Sequence, residues 1–386
     1  MFLKGNSISK FICTITFCFI ISRERYFISF AVKGESNTKS YPEEPYYFQL
    51  GDLLHDWNPD YTSLDYWKKS KAHPSNGKGL IRLNYANQND YNYALKLRAQ
   101  ELPFLLYNVP DVDKTSQMWT DEYLAEQFGD QRVKVEKSEN NHFMYYTMKR
   151  GMDKAVTVSW KPPQTETRMT YKQYSKLALA RETPTQLRIE RERERKGDMA
   201  GNTPLYYMTL NAKQGGETGW IRESLSIFDP VPSFFIVDPS GHKGINCRFG
   251  MRGVVAANHY DGKRNFVAMI RGHKRYILAP PSECLSLSLL PKGHPSARHS
   301  SFDWSNMTEV DSRPKFYISK ATEVVLTPGD ILYIPSFWFH SIMSLDNSIQ
   351  CNARSGTATV AAHIISECMG GRVQGQRTKK KIKQWQ

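Results

Sequence analysis

From Ser233 onward the chain is written as short apolar segments divided by turn residues, and this alternation limits its fold more than any other feature. The segments run Phe234–Val237, Asn246–Phe249, Val254–Ala257, Phe266–Ile270, Arg275–Leu278, Glu323–Leu326, Ile331–Ile334, Trp338–Met343 and Ile349–Asn352. Between them stand Asp238-Pro239-Ser240-Gly241, Asp261-Gly262, Arg271-Gly272 and Thr327-Pro328-Gly329-Asp330, combinations that reverse a chain. Many short strands in succession form a barrel or a sandwich. The polar stretch 280–320 is a long insertion in such an architecture, and loops of that length are usually functional.

The preceding region mixes helix and strand. Asp90 to Glu101 reads as a helix stopped by Pro103, and Phe104 to Val109 as a strand. Thr120 caps a helix through Phe128 that Gly129 ends. Arg132 to Val135 and His142 to Met148 alternate like strands, Met169 to Ala180 reads as a helix, and Leu205 to Leu210 returns to strand character. Residues 188–196 are a mixed-charge run that bridges its own charges along an exposed helix or mobile insertion. Thr359 to Met369 forms a last short helix. The reading divides the chain into a leader (1–40), an N-terminal α/β portion (41–200), a barrel (201–370) and a basic tail (371–386).

Net charge is +14, but most of it sits at the two ends: +6 in the tail and +4 in the leader. A nucleic-acid-binding core carries its excess on a dense stripe, which argues against one here; the tail around Lys379–Lys383 reads first as a solvated charge run, with a nuclear address or an RNA phosphate contact as the alternatives. In the leader, Phe11 to Ile21 is an uncharged run behind Lys4 and Lys10, resembling a secretory signal or signal anchor; the equal alternative is a leader without structural role on a cytoplasmic or nuclear protein. The run is too short to span a bilayer, which takes roughly 20 residues, so membrane association is expected only through residues 11–32. The six cysteines show no C-x-x-C pair and no zinc spacing; four lie in apolar surroundings and are expected to be free thiols acting as small hydrophobes.

His259 and Asp261 stand two apart, so a strand would present imidazole and carboxylate on one face. His340, in the run Ile331 to His340, completes two imidazoles and a carboxylate if a neighbouring strand carries it in, a donor set that suits Fe(II) and leaves positions open. A His-x-Asp triplet alone is common by chance, and a histidine in an apolar run is more often core.

The company these residues keep is more specific. His259-Tyr260-Asp261 is followed by Asn265-Phe266, by Gly272-His273-Lys274-Arg275-Tyr276 running on to Pro281, and by His294-Pro295. Pro328-Gly329-Asp330 to Pro335, Trp338-Phe339-His340 and Asn352 complete the order. In these motifs Cys247 to Gly356 resembles the JmjC or cupin-like family of Fe(II)- and 2-oxoglutarate-dependent oxygenases, and is similar within it to the asparaginyl hydroxylases and their cupin-like relatives. Leu102-Pro103-Phe104 and the Trp119–Gly129 helix extend the likeness more loosely toward the N-terminus.

The resemblance implies a mainly β fold with α, a double-stranded β-helix (a cupin or jelly-roll barrel) flanked by N-terminal helices. It implies Fe(II) held by His259, Asp261 and His340, with 2-oxoglutarate and O2 as cosubstrates. Lys274 matches the lysine that takes the distal carboxylate of 2-oxoglutarate; Asn265 and Asn352 match polar positions beside metal and cosubstrate, and Tyr206 or Tyr207 a supporting hydroxyl. Arg298 matches a residue that holds the target side chain. Two positions depart: Ala256 stands where relatives often carry a cosubstrate-binding threonine, and His299 replaces a target-binding glutamine. The implied activity is hydroxylation, or demethylation, of a protein or peptide side chain. The other classes considered are an RNA- or tRNA-modifying oxygenase and a catalytically silent cupin-like binding protein.

Overall fold

Fifteen strands form two sheets among the described residues of the computed structural model, which are 41, 45–57, 62–147, 160–196, 204–212 and 218–370. They are β1 (Phe48–Gln49), β2 (Arg82–Asn84), β3 (Phe104–Tyr107), β4 (Val133–Ser138), β5 (His142–Phe143), β6 (Gln164–Met169), β7 (Leu205–Ala212) and β8 (Ile245–Gly250). There follow β9 (Val255–Tyr260), β10 (Arg264–Arg271), β11 (Lys274–Ala279), β12 (Lys320–Leu326), β13 (Ile331–Ile334), β14 (Phe339–Ser344) and β15 (Ser348–Ser355). One sheet runs β1-β12-β11-β14-β9-β5 and the other β2-β3-β13-β10-β15-β8-β7-β4-β6.

Within these sheets, β8 to β15 switch sides as the chain proceeds. β9, β11, β12 and β14 are neighbours in the first sheet, and β8, β10, β13 and β15 in the second, all paired antiparallel. That is the jelly-roll arrangement of a double-stranded β-helix. The interior is filled by residues from both sheets, including Val267, Met269, Tyr276, Leu278, Leu332 and Ile342. The insertion and the helix Leu50–His55 cover the outer face of the first sheet through Leu53, Leu287, Trp304 and Phe316.

One buried ion pair ties that covering layer to the sheet. Arg275 of β11 bonds Glu323 of β12, donates to the Leu53 carbonyl at 2.6 Å and lies over the Trp57 ring. Ser70 donates to the other Glu323 oxygen at 2.9 Å. Burial pushes both groups toward neutrality, Arg275 down and Glu323 up, and each opposes that shift in the other.

Several expectations need correction. Phe234–Val237 is a turn rather than a strand: Ser233 accepts from the Ile236 amide, and both Phe234 and Phe235 bury against Phe266. A strand would send them to opposite faces. Met169 ends β6, and the next helix, Tyr171–Arg181, starts after Thr170, where a Thr170–Gln173 capping box satisfies its first amides. Residues 188–196 form the second part of the helix Pro184–Lys196. The leader and the basic tail lie outside the described residues.

The cysteines depart furthest from expectation. Cys247 and Cys351 face each other across β8 and β15 and are disulfide-bonded; Cys284, after β11, is bonded to Cys368 at the end of the helix Thr359–Cys368. Pairs separated by 104 and 84 residues carry no local spacing signal.

Alkylation of the unfolded, unreduced protein should therefore leave these four cysteines unlabelled in a peptide map, and breaking either bond by paired Cys→Ala should cost about 2–5 kcal/mol in denaturant unfolding. Arg275→Met, which strands Glu323 in the core, should cost about 3–5 kcal/mol by the same measurement.

Candidate metal centre

The centre depends on an irregularity in β9. Opposite the span from His340 to Ile342 of β14, β9 runs from His259 to Ala256 and so holds one residue more. Such a bulge reverses the facing of all that follows it. Ala256 packs inside the barrel with Tyr276 and Ile342, and the bulge brings His259, three residues on, to the same side as His340. The two rings lie 4.3 Å apart by centroid.

Asp261 follows immediately after β9. Its carbonyl accepts from the Phe337 amide at 2.7 Å, and Phe337 holds a left-handed φ of 64°, uncommon for so bulky a residue. This contact fixes the turn leading into β14. One ligand atom from each of His259, Asp261 and His340 lies within 4.8 Å of the others, and all three residues are buried.

Hydrogen bonds set the chemistry of each donor. His259 Nδ1 donates to the Ala257 carbonyl at 2.9 Å and His340 Nδ1 to the Trp338 carbonyl at 3.0 Å. In each neutral ring the Nε2 lone pair is thereby left for a metal. Burial holds both imidazoles below their usual range. Burial would raise the Asp261 carboxyl, yet the Arg354 and Arg298 guanidiniums outweigh it and hold it below the usual carboxylate range. Arg298 and Arg354 both donate to Asp261 Oδ1, at 2.9 and 3.0 Å, which leaves Oδ2 as the oxygen for a metal. Two neutral imidazoles and an ionised carboxylate fit Fe(II).

Lys274 lies at the other end of the same strands. β11 pairs Leu278 with His340 and Lys274 with Ser344, so roughly 13 Å of strand separates the two levels. Lys274 is 1 % exposed, and its Nζ donates to Ser344 Oγ at 3.0 Å. No carboxylate pairs with it among the described residues, and burial pushes it down to about 7. Gly250 makes room: a Cβ there would lie 2.3 Å from Ser344 Oγ and 3.0 Å from Lys274 Nζ. A buried cation lacking an anion is the partner a dicarboxylate needs, so these residues fit 2-oxoglutarate as well as metal.

The remaining residues singled out from the sequence divide. Tyr207 is buried, with Lys274 Nζ 5.4 Å from its ring centre; Tyr206 lies on the other face of β7, partly exposed beside Lys137. Asn352 donates to Asn265 at 2.8 Å across β15 and β10. Arg298 bonds Asp261 through Nη1, and its side chain is 37 % exposed. His299 is fully buried and stacks on His259; its Nδ1 donates to the Ser296 carbonyl and its Nε2 accepts from the Tyr145 amide. Both its nitrogens are thus used within the protein. Ala256 faces the interior without a hydroxyl, while Ser344 supplies one to Lys274.

Three residues of the centre were not found from sequence. Arg354 orients Asp261; Tyr145 lies 5.1 Å from the His259 ring; and Arg248 of β8 is buried with its Nε 3.0 Å from Tyr145 Oη. Arg248 and Arg354, cations within otherwise buried strands, were the available signal.

Comparison with known proteins agrees with this geometry. A family model described as a cupin-like domain matches residues 94–354. The chain belongs to the JmjC/cupin-like family. Relatives of this cupin-like chain include the tRNA wybutosine-synthesizing protein 5 of Danio rerio, 31 % identical over 127 residues, which are 32 % of this chain and 35 % of that protein. Lysine-specific demethylase JMJ31 of Arabidopsis thaliana is 29 % identical over 123 residues, 32 % of this chain and 22 % of the relative. The Jumonji C domain-containing protein 5 of Drosophila melanogaster is 32 % identical over 134 residues, 32 % of this chain and 30 % of its own length. The cupin-like chain thus spans about a third or less of each.

Replacing Arg354 by Met should weaken Co(II) binding about 10–100-fold in a spectroscopic titration. Because burial holds both imidazoles below their usual range, Co(II) affinity should fall from pH 7.5 to 5.5 by less than the roughly hundredfold that two ordinary histidines of pKa 6.5 would lose there.

Proposed function

We propose that this chain is an Fe(II)- and 2-oxoglutarate-dependent oxygenase that hydroxylates a protein side chain, or demethylates one when the hydroxylated carbon is an N-methyl. The observation that carries the reading is the pairing of two features in one barrel: the buried His259, Asp261 and His340 cluster, and a buried Lys274 beyond it that no carboxylate pairs with among the described residues. A silent binding protein has no physical need of an uncompensated lysine, because burying a charge opposes folding.

When bound, the metal and cosubstrate supply oxygen activation coupled to decarboxylation of 2-oxoglutarate to succinate. The residues divide the remaining work. His259 and His340 offer Nε2 lone pairs, and Asp261 is kept ionised by Arg298 and Arg354. Lys274 and Ser344 hold the far carboxylate of the cosubstrate, with Tyr207 closing that end. His299 fixes Tyr145 over His259, and Asn265 with Asn352 forms a polar wall.

The tRNA wybutosine-synthesizing relatives support a second reading, an RNA-modifying oxygenase. The disulfides favour the first. Bonds such as Cys247–Cys351 and Cys284–Cys368 persist in oxidising compartments, where a protein substrate is at hand and tRNA is not; the signal-like leader fits the same location. Protease protection of the tagged chain in isolated membrane vesicles tests the compartment.

The decisive assay is succinate release by the full chain with Fe(II), 2-oxoglutarate and either a peptide library or total RNA, the product being located by mass spectrometry. Asp261→Ala should abolish release; release at the wild-type rate overturns the proposal. Lys274→Met should raise the KM for 2-oxoglutarate at least about tenfold, while raising the melting temperature of the metal-free protein because a buried charge is removed.

A further inference from the structure

Besides Lys274, the barrel interior holds a second buried cation. Arg248 of β8 pairs with Gln350 of β15, and directly opposed residues of antiparallel strands share a face. Gln350 accepts from the Tyr276 hydroxyl, and Tyr276 belongs to the interior cluster. Gly250, two residues on from Arg248 and so on the same face, is the position where a Cβ would lie 3.0 Å from Lys274 Nζ. Arg248 therefore points into the interior that Lys274 occupies.

Its bonds are to neutral groups. Arg248 is 8 % exposed; Nε donates to Tyr145 Oη at 3.0 Å and Nη1 to the Cys247 carbonyl at 3.2 Å. Nη2 makes no hydrogen bond among the described residues and is not sealed off by protein atoms. The carboxylates whose fields reach the two cations have partners of their own. Glu136 pairs with Lys134 at 3.5 Å and Asp346 with His273 at 2.6 Å.

Burying a charge without its counter-charge opposes folding, and two of one sign in a common interior also repel. Burial is the main cause that pushes Lys274 down; Asp346 opposes the shift, and Arg248 adds to it. A ligand carrying two negative charges relieves both cations at once.

We propose that Arg248 is a cosubstrate-binding residue of this chain, the second of two cations that hold 2-oxoglutarate as a dianion. This role rests on the oxygenase reading and adds a residue to it. The free Nη2 is the donor, and a guanidinium N–H bonded to a carboxylate is stronger than a neutral hydrogen bond.

Equilibrium dialysis of the full chain against labelled 2-oxoglutarate in EDTA reads this role without metal or turnover. Wild type should bind one equivalent saturably, and 2-oxobutyrate, which lacks the distal carboxylate, at least about tenfold more weakly. Each of two neutral variants, Arg248→Gln and Arg248→Met, should weaken 2-oxoglutarate binding at least about tenfold. Arg248→Lys, which keeps the charge, should recover most of that loss. Affinity falls with rising pH as Lys274 loses its proton, and this fall should lie at higher pH in Arg248→Gln, where the repulsion is gone. Absence of saturable binding, unchanged affinity in the neutral variants, or a Lys variant as weak as they are overturns the assignment. Succinate release by the metal-loaded wild type is a separate readout, so failure of the oxygenase reading is told apart from failure of this role.

Discussion

The one-residue offset between β9 and β14 is the constraint on which the centre depends. Without it, strict alternation would send His259 outward with Val255, behind the sheet, and leave His340 facing an empty position. With it, the same strand serves two faces: Ala256 and His259 look into the barrel, while Ala257 and Asn258 look toward the outer side that the insertion covers. A local defect in pairing thereby couples the layout of the interior to that of the covered surface.

Electrostatics then prepares each group for its part. Asp261 is buried, which disfavours charge, but two guanidiniums on one oxygen restore it. The imidazoles are buried with their Nδ1 protons committed to carbonyls, so they stay neutral. Every donor is held in the form that offers a lone pair, before any ion arrives. At the far end the logic is opposite. Among the described residues Lys274 has a hydroxyl neighbour and no paired anion, so that end of the barrel favours whatever brings negative charge with it. The two ends are complementary to two different charges, along one line of strand.

Much of this was legible in the sequence, and the reasons differ by residue. The strands of the barrel follow from alternation and turn chemistry, and eight of the nine segments read from Ser233 onward are strands at nearly the expected positions. His259, Asp261, His340 and Lys274 were found because their order and spacing are specific. Phe234–Val237 failed because two adjacent aromatics looked strand-like while tertiary packing buried both on one side. The internal contacts of Arg298 and His299 were not legible: both stand at positions the resemblance gives to the target, and one is bonded to Asp261 and the other to Tyr145. Which contact a side chain makes depends on the path of the insertion, which periodicity does not encode. Arg354 and Arg248 were missed because an inward arginine looks, from sequence, like any charge on a strand.

The two disulfides have a consequence for how the chain is held as one piece. Cys247 precedes Cys284, and their partners Cys351 and Cys368 follow in the same order, so the covalent loops interlock rather than nest. Any nick between Cys284 and Cys351, including one in the exposed stretch around Leu285, leaves two fragments joined by both bridges. The barrel can lose continuity of its backbone there and still keep the strands that carry His259 and His340 tethered to each other.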